Sequence, residues 1–365
     1  MLTSLNHLCP GAVPGGFLGV DIFFVLSGFL ITALLLGTSS RYGRIDLKAF
    51  YLRRARRLLP AVMLLITVFT LVVLLSSPSR RELLVTSVVD AAVLTYTFNW
   101  VSVFGHHPPW QVDHLWSLSV EEQFYLVWPI LLVVLLKVAS RRTIMIVTAL
   151  GAVGSAVAQG LVYSSTHSIA WGFLSSPLHA HGILLGCLLG QLYVWRRVDG
   201  ALDRLAQSRL AAGVALVVIA VLAGVLDMDE TITYTGGMAL GVLAAGVLVA
   251  SMVARDSFGR VGGVLSRLFR SAPMVAIGRR SYSIYLWQNF IAWTLSSSLG
   301  GTGWWIPANV ALTLACAELS YRFVERRFLR PSPRGADRYA PAPNAVDAVV
   351  SPSPDLSPDR ADRLR

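Results

Sequence analysis

The sequence predicts an all-α protein, a polytopic membrane helix bundle. Two observations carry that prediction. Of the 365 residues, 55% are hydrophobic and only 14% charged, with a mean hydropathy of +0.61. An ordinary soluble domain is about 25% charged, and no water-soluble chain of this length hides so much apolar surface, which excludes a soluble enzyme. Apolar windows near the roughly 20 residues needed to cross a bilayer also recur along the chain. They lie at 17–37, 58–76, 119–137, 143–163, 180–195, 210–226, 236–254, 281–298 and 304–322. The window 180–195 is short, so its helix is expected to begin earlier. A tenth stretch, 83–103, carries Asp90, Asn99 and several Ser and Thr, and follows Arg80 and Arg81.

The basic residues decide that tenth stretch. Short cytoplasmic loops collect Lys and Arg. If 83–103 does not cross, the inner segments 38–57, 137–142, 196–209, 255–280 and 322–365 hold seven, three, four, six and nine basic residues, which is 29 of the 31. Only Arg80 and Arg81 fall outside. If it crossed, every later loop would invert. We therefore read 83–103 as re-entrant or interfacial. The formal charge of +11 is then assigned to the inner membrane face and not to nucleic acid. This parity puts the C-terminus in the cytoplasm and the N-terminus outside, an unusual start that reads as the loss of a first helix. About nine spans of a ten-span fold are expected.

The tail 331–365 is rich in Pro, Ala, Ser, Asp and Arg. It is expected to be disordered, leaving a membrane domain over 1–330. Cys9, Cys187 and Cys316 have no metal-ligand spacing and read as small buried residues. No metal is expected.

Ionisable groups in lipid are costly and mark function by default. Asp21 stands near the outer end of the first span, in GGFLGVDIFFVLSGFLIT, where Ser27 and Gly28 are small enough for helix contacts. Glu121 and Glu122 open the third span in HLWSLSVEEQFYLVWP. Neighbours on a helix point about 100° apart, so one can turn inward while the other caps the helix start, with Ser117 or Ser119 in a capping arrangement. A well-capped helix and a catalytic carboxylate remain equal alternatives. In FYLRRARRLLP, Arg53, Arg54, Arg56 and Arg57 are either an ordinary topological anchor or a site for a phosphate-rich cytosolic ligand. All seven histidines fall toward the outer side.

These blocks, in this order, resemble acyltransferase family 3, the integral-membrane O-acyltransferases of bacteria. His7, eight residues before Gly15, then GGFLGVDIFFVLSGFLIT, FYLRRARRLLP, HLWSLSVEEQFYLVWP, IGRRSYSIYLWQ and ELSYRFVERRF carry the likeness from about His7 to Arg327. The resemblance implies about ten helices in the plasma membrane. It also implies transfer of an acyl group, usually acetyl, from cytosolic acyl-CoA to an outer hydroxyl on a carbohydrate, cell-wall polymer, lipid or glycosylated small molecule.

On that resemblance His7 is the catalytic base, with Glu122, Glu121 or Asp21 holding its tautomer. Arg54 and Arg57 match the family's spaced arginine pair, and Arg53 and Arg56 share the spacing. His114, Trp116, Ser119, Gln123, Tyr125, His179 and His181 are expected near the acceptor. The family's basic residue eleven positions before the His would precede Met1. The late YLW-His of many members reads Tyr285-Leu286-Trp287-Gln288, and a common Thr-Asp-Thr-Arg reads Ser176-Pro177-Leu178-His179. A transporter, in which intramembrane carboxylates also occur, and an inactive truncated relative are the other readings.

Overall fold

Among the described residues, polar side chains cap the start of four helices. The computed structural model describes residues 14–106, 108–195, 208–253, 271–299 and 304–329. Among these, every regular element is helical. Helix α1, Leu18–Tyr42, follows a 3-10 turn, Pro14–Phe17, and stops at Gly43, whose φ of 70° is left-handed. Helix α2, Leu47–Leu75, starts where the Asp46 carboxylate accepts from the Ala49 N–H at 2.9 Å. Helix α3, Arg80–Leu94, opens on a full capping box between Ser79 and Glu82; those hydrogen bonds favour the ionised acid and hold the Glu82 carboxyl below its usual range. The short helix α4, Phe98–Val103, precedes α5, Leu115–Val138. Ser140 caps α6, Arg141–Thr166, and Ser208 caps α8, Arg209–Val225; between them lies α7, His181–Val194. Then come α9, Met238–Val253, α10, Ala272–Leu299, and α11, Trp305–Ser320. A turn of π-helix, Tyr321–Glu325, leads into α12, Arg326–Leu329.

Each of the nine expected spans falls on one of these helices. Among the described residues, five stretches are long and apolar enough to cross a membrane: Pro14–Tyr42, Leu47–Leu75, Leu115–Val138, Arg141–Thr166 and Thr233–Val253. Helices α7 and α8 are shorter and equally apolar. Outward-facing rows such as Leu150, Val153, Val157 and Leu161 on α6 are exposed and apolar. A soluble bundle would turn such a stripe inward; here hydrocarbon is the solvent of that face, and the chain is a multi-pass membrane protein.

The stretch 83–103 is split between α3 and α4 by a break at Tyr96, whose φ is 55°. The 15 residues of α3 extend about 22 Å, short of the roughly 30 Å hydrocarbon core, and the pair packs against α2 and α5. One expectation fails. The helix of 180–195 does not start earlier; α7 begins at His181, after a π-helical turn at Ala170–Leu174. The intervening backbone is captured by side chains. Ser155 donates to the carbonyls of Pro177 and Leu178 at 2.8 and 3.2 Å, and the His179 ring takes that of Phe173. The tail 331–365 and the boundary at 330 lie outside the described residues.

Helix α1 is the centre of the bundle and packs most closely on α7. Gly182, Gly186 and Gly190 recur every fourth residue along α7 and form one stripe. A Cβ on Gly186 would sit 2.1 Å from the Val25 carbonyl oxygen, and one on Gly28 of α1 would sit 2.0 Å from that of Ile183. The two backbones therefore touch, the close approach that small residues permit where lipid supplies no hydrophobic drive. Replacing Gly186 by Leu is expected to abolish recovery of a monodisperse protein by size-exclusion chromatography in detergent. The same change at Gly213 of α8, which faces open space, should leave the profile intact.

Candidate active site

Asp21 lies one turn into α1 and is fully buried. Its Oδ1 is 2.9 Å from Nε2 of His179, which is also fully buried. The other ring nitrogen, Nδ1, is 2.5 Å from the Phe173 carbonyl oxygen. A carbonyl only accepts, so Nδ1 carries a proton. The Nε2–Oδ1 contact must then hold a second proton, either as imidazolium and carboxylate or as neutral ring and carboxylic acid. Aromatic rings close the pair off. Trp116 stacks on His179 at 5.6 Å, while Phe24 and Phe173 meet it at 5.4 and 4.8 Å. The ring of His181 lies parallel to His179 at 5.7 Å. Asp21 Oδ2 and both His181 nitrogens are buried without a hydrogen-bond partner among the described residues.

Further along α1, a second polar group forms where α1, α2 and α5 meet. Ser27 and Tyr125 both donate toward Glu121, Tyr125 at 2.6 Å, and their hydroxyls touch. Arg54 grips Glu122 through Nε at 3.0 Å and Nη2 at 2.5 Å, with Glu121 3.8 Å away. Its guanidinium carbon sits 3.2 Å from the Tyr125 ring centre. One turn deeper, the Trp128 indole N–H donates to Thr32 at 2.9 Å. Asp21, Ser27 and Thr32 thus form a buried polar seam along α1 in a bundle clad in apolar side chains.

A third network fixes the start of α5. His114 Nε2 is 3.1 Å from the Leu286 carbonyl oxygen, and the Tyr285 hydroxyl, also against Ser117, donates to the His114 carbonyl at 2.6 Å. Gln123 donates to Tyr96 O at 2.6 Å and to Asn99 Oδ1 at 2.9 Å, and accepts from Ser176 at 2.6 Å. Ser119 is buried on the same helix. Burial raises the carboxyl of Asp113, in the loop before α5, above its usual range.

The structure thus regroups the residues singled out in the sequence. His7 lies outside the described residues. Asp21, Trp116, His179 and His181 come together, as do Arg54, Glu121, Glu122 and Tyr125. Arg53, Arg56 and Arg57 are exposed on α2. Helix capping by Glu121 or Glu122 is corrected: α5 begins at Leu115 with no acid in its first turn and no side-chain cap. Ser117 and Ser119 are inside the helix, and both glutamates sit two turns in. Sequence reasoning missed the acid-binding role of Ser27, the Tyr285–His114 tie and the Ser176–Gln123 bond. Only Asn99, a polar residue in an apolar stretch, signalled its network in advance.

The acyltransferase family 3 pattern, an acyltransferase domain, matches residues 4–320. A peptidoglycan O-acetyltransferase of Listeria monocytogenes is 33% identical over 334 residues, 87% of this chain and 52% of that protein. A putative peptidoglycan O-acetyltransferase of Bacillus subtilis is 34% identical over 336 residues, 88% of this chain and 51% of its own length. The chain therefore spans about half the length of these relatives. No solved structure matches it. A pattern covering nearly all of the helical bundle, together with relatives of this identity, places the chain in acyltransferase family 3.

Proposed function

We propose that this acyltransferase moves an acyl group, usually acetyl, from cytosolic acyl-CoA to a hydroxyl of a cell-wall polymer outside the plasma membrane, with its C-terminus in the cytoplasm. The observation that carries the reading is the buried seam from Asp21–His179 to Arg54–Glu122. Buried charge is expensive in a membrane bundle, and this seam joins a histidine-rich end of α1 to an arginine-rich stretch of α2. The sorting of basic residues and the peptidoglycan named in both relatives support the direction of transfer and the acceptor class.

The chemistry asked of the chain is modest. The acceptor oxygen attacks the thioester carbonyl carbon, the C–O bond forms, the C–S bond breaks, and the hydroxyl proton passes to a base. The thiolate of CoA leaves and is protonated. His7 is that base in this proposal, because a near-neutral imidazole both takes and returns a proton. Its tautomer is held in this proposal by one of the carboxylates Glu122, Glu121 or Asp21. The acceptor side is lined by His114, Trp116, Ser119, Gln123, Tyr125, His179 and His181. Exposed arginines on α2 offer planar forks to the phosphates of the donor, and lipid surrounds the bundle.

Two outcomes test this reading. His7→Ala in the full-length gene product should lower wall-bound acetate formed from labelled acetyl-CoA by about 10²–10⁴-fold while membrane levels of the protein hold. Transfer at the wild-type rate would overturn the mechanism. Asp21→Asn leaves His179 facing a neutral amide in a dry site and should cost about 3–5 kcal/mol of stability. In thermal melts the double variant Asp21→Asn/His179→Gln should lose less than the two single losses combined.

A further inference from the structure

The spacing of the basic run makes Arg54 and Arg57 equal candidates for the donor's phosphates. The structure treats them differently. Arg57, like Arg53 and Arg56, is exposed. Arg54 turns inward, with two of its nitrogens bound to the Glu122 carboxylate, a second carboxylate 3.8 Å away, and Tyr125 beneath its guanidinium plane. A guanidinium matched to a carboxylate through two nitrogens has already used the geometry with which it would clasp a phosphate. Releasing it would strand two acids beside Ser27 and Tyr125 in a low-dielectric site, at the high cost of unpaired buried charge. One cation thus serves two acids at the junction of three helices, clasping Glu122 and lying 3.8 Å from Glu121.

We infer that Arg54 is a positioning residue that orients Glu121 and Glu122 for acyl transfer, and that the donor's phosphates are met by the exposed arginines Arg53, Arg56 and Arg57. This rests on acyl-CoA being the donor, as proposed above. Helix α2 packs against the Tyr321–Glu325 turn and α12. That segment adds exposed Arg322, Arg326 and Arg327 and makes the outward side of α2 the more basic one.

The test separates binding from turnover, using the full-length protein in detergent with coenzyme A and acetyl-CoA as probes. Arg54→Lys keeps the charge and loses the fork. It should lower kcat about 10²-fold, the scale of a misplaced catalytic group, with the acetyl-CoA KM within about threefold of wild type. Glu122→Gln should show the same split. The triple change Arg53, Arg56 and Arg57→Gln should instead raise KM about tenfold or more, as loss of 1.4 kcal/mol of binding requires.

Direct titration with coenzyme A keeps the idea exposed even where a variant turns over too slowly to assay. Glu122→Gln frees Arg54. If Arg54 is a phosphate ligand held in reserve, coenzyme A binds that variant more tightly and the Arg54→Lys protein more weakly; either result overturns the inference. Unchanged affinity in both supports it. A wild-type protein that neither binds coenzyme A nor transfers acetyl would overturn the donor assignment itself, a failure distinct from a KM effect at Arg54.

Discussion

The backbone contact between α1 and α7 is the constraint on which the polar interior depends. Asp21 is on α1 and His179 precedes α7 by two residues, 158 positions apart in the chain. They meet only because Gly28, Gly186 and Gly190 let the helices approach to a distance that any Cβ would forbid. A leucine-lined contact would hold the axes several ångströms further apart, and the Asp21–His179 pair, Trp116 stacked against it, and the short seat of α7 would all be lost. The irregular segment before α7 belongs to the same constraint. Its backbone cannot continue as helix while its carbonyls serve Ser155 and His179.

The polar seam follows a second rule, that charge in lipid is kept only where it is paired. Asp21 has His179, and Glu122 has Arg54. Glu121 shares hydroxyl donors from two helices as well as the fringe of the same arginine. These pairs cost more than they return as structural glue when compared with apolar packing. Asp21–His179 joins α1 to the segment before α7, and Arg54–Glu122 joins α2 to α5, the two pairs on which the proposed chemistry is built. Asp21 Oδ2 and both nitrogens of His181, which have no hydrogen-bond partner among the described residues, lie at the end of the seam where the acceptor is proposed to arrive.

The same arginine run shows why spacing alone could not assign roles. Arg53, Arg54, Arg56 and Arg57 cover two faces of α2, and a phosphate clamp, a topological anchor and an internal ion pair all fit that pattern. Rotation of α2 against α5 breaks the tie by pointing one of the four at Glu122 and leaving the others exposed. The glutamates show the converse. Their adjacency promised that they would point apart, which they do, toward Ser27 and toward Arg54. The position of the helix start, four residues earlier than the apolar window suggested, removed the capping role.

Composition and apolar windows by themselves determined that this is a multi-pass helical membrane protein, where its apolar segments lie, and that 83–103 differs from them, because hydrocarbon imposes length and polarity on any segment that crosses it. Ordered motifs determined the family, since several local patterns in fixed order rarely coincide. Tertiary structure decided which ionisable groups face one another. Those partners, Asp21 with His179 and Arg54 with Glu122, come from different helices, and their meeting is set by interhelical distance and rotation, to which neither periodicity nor spacing within one segment is sensitive.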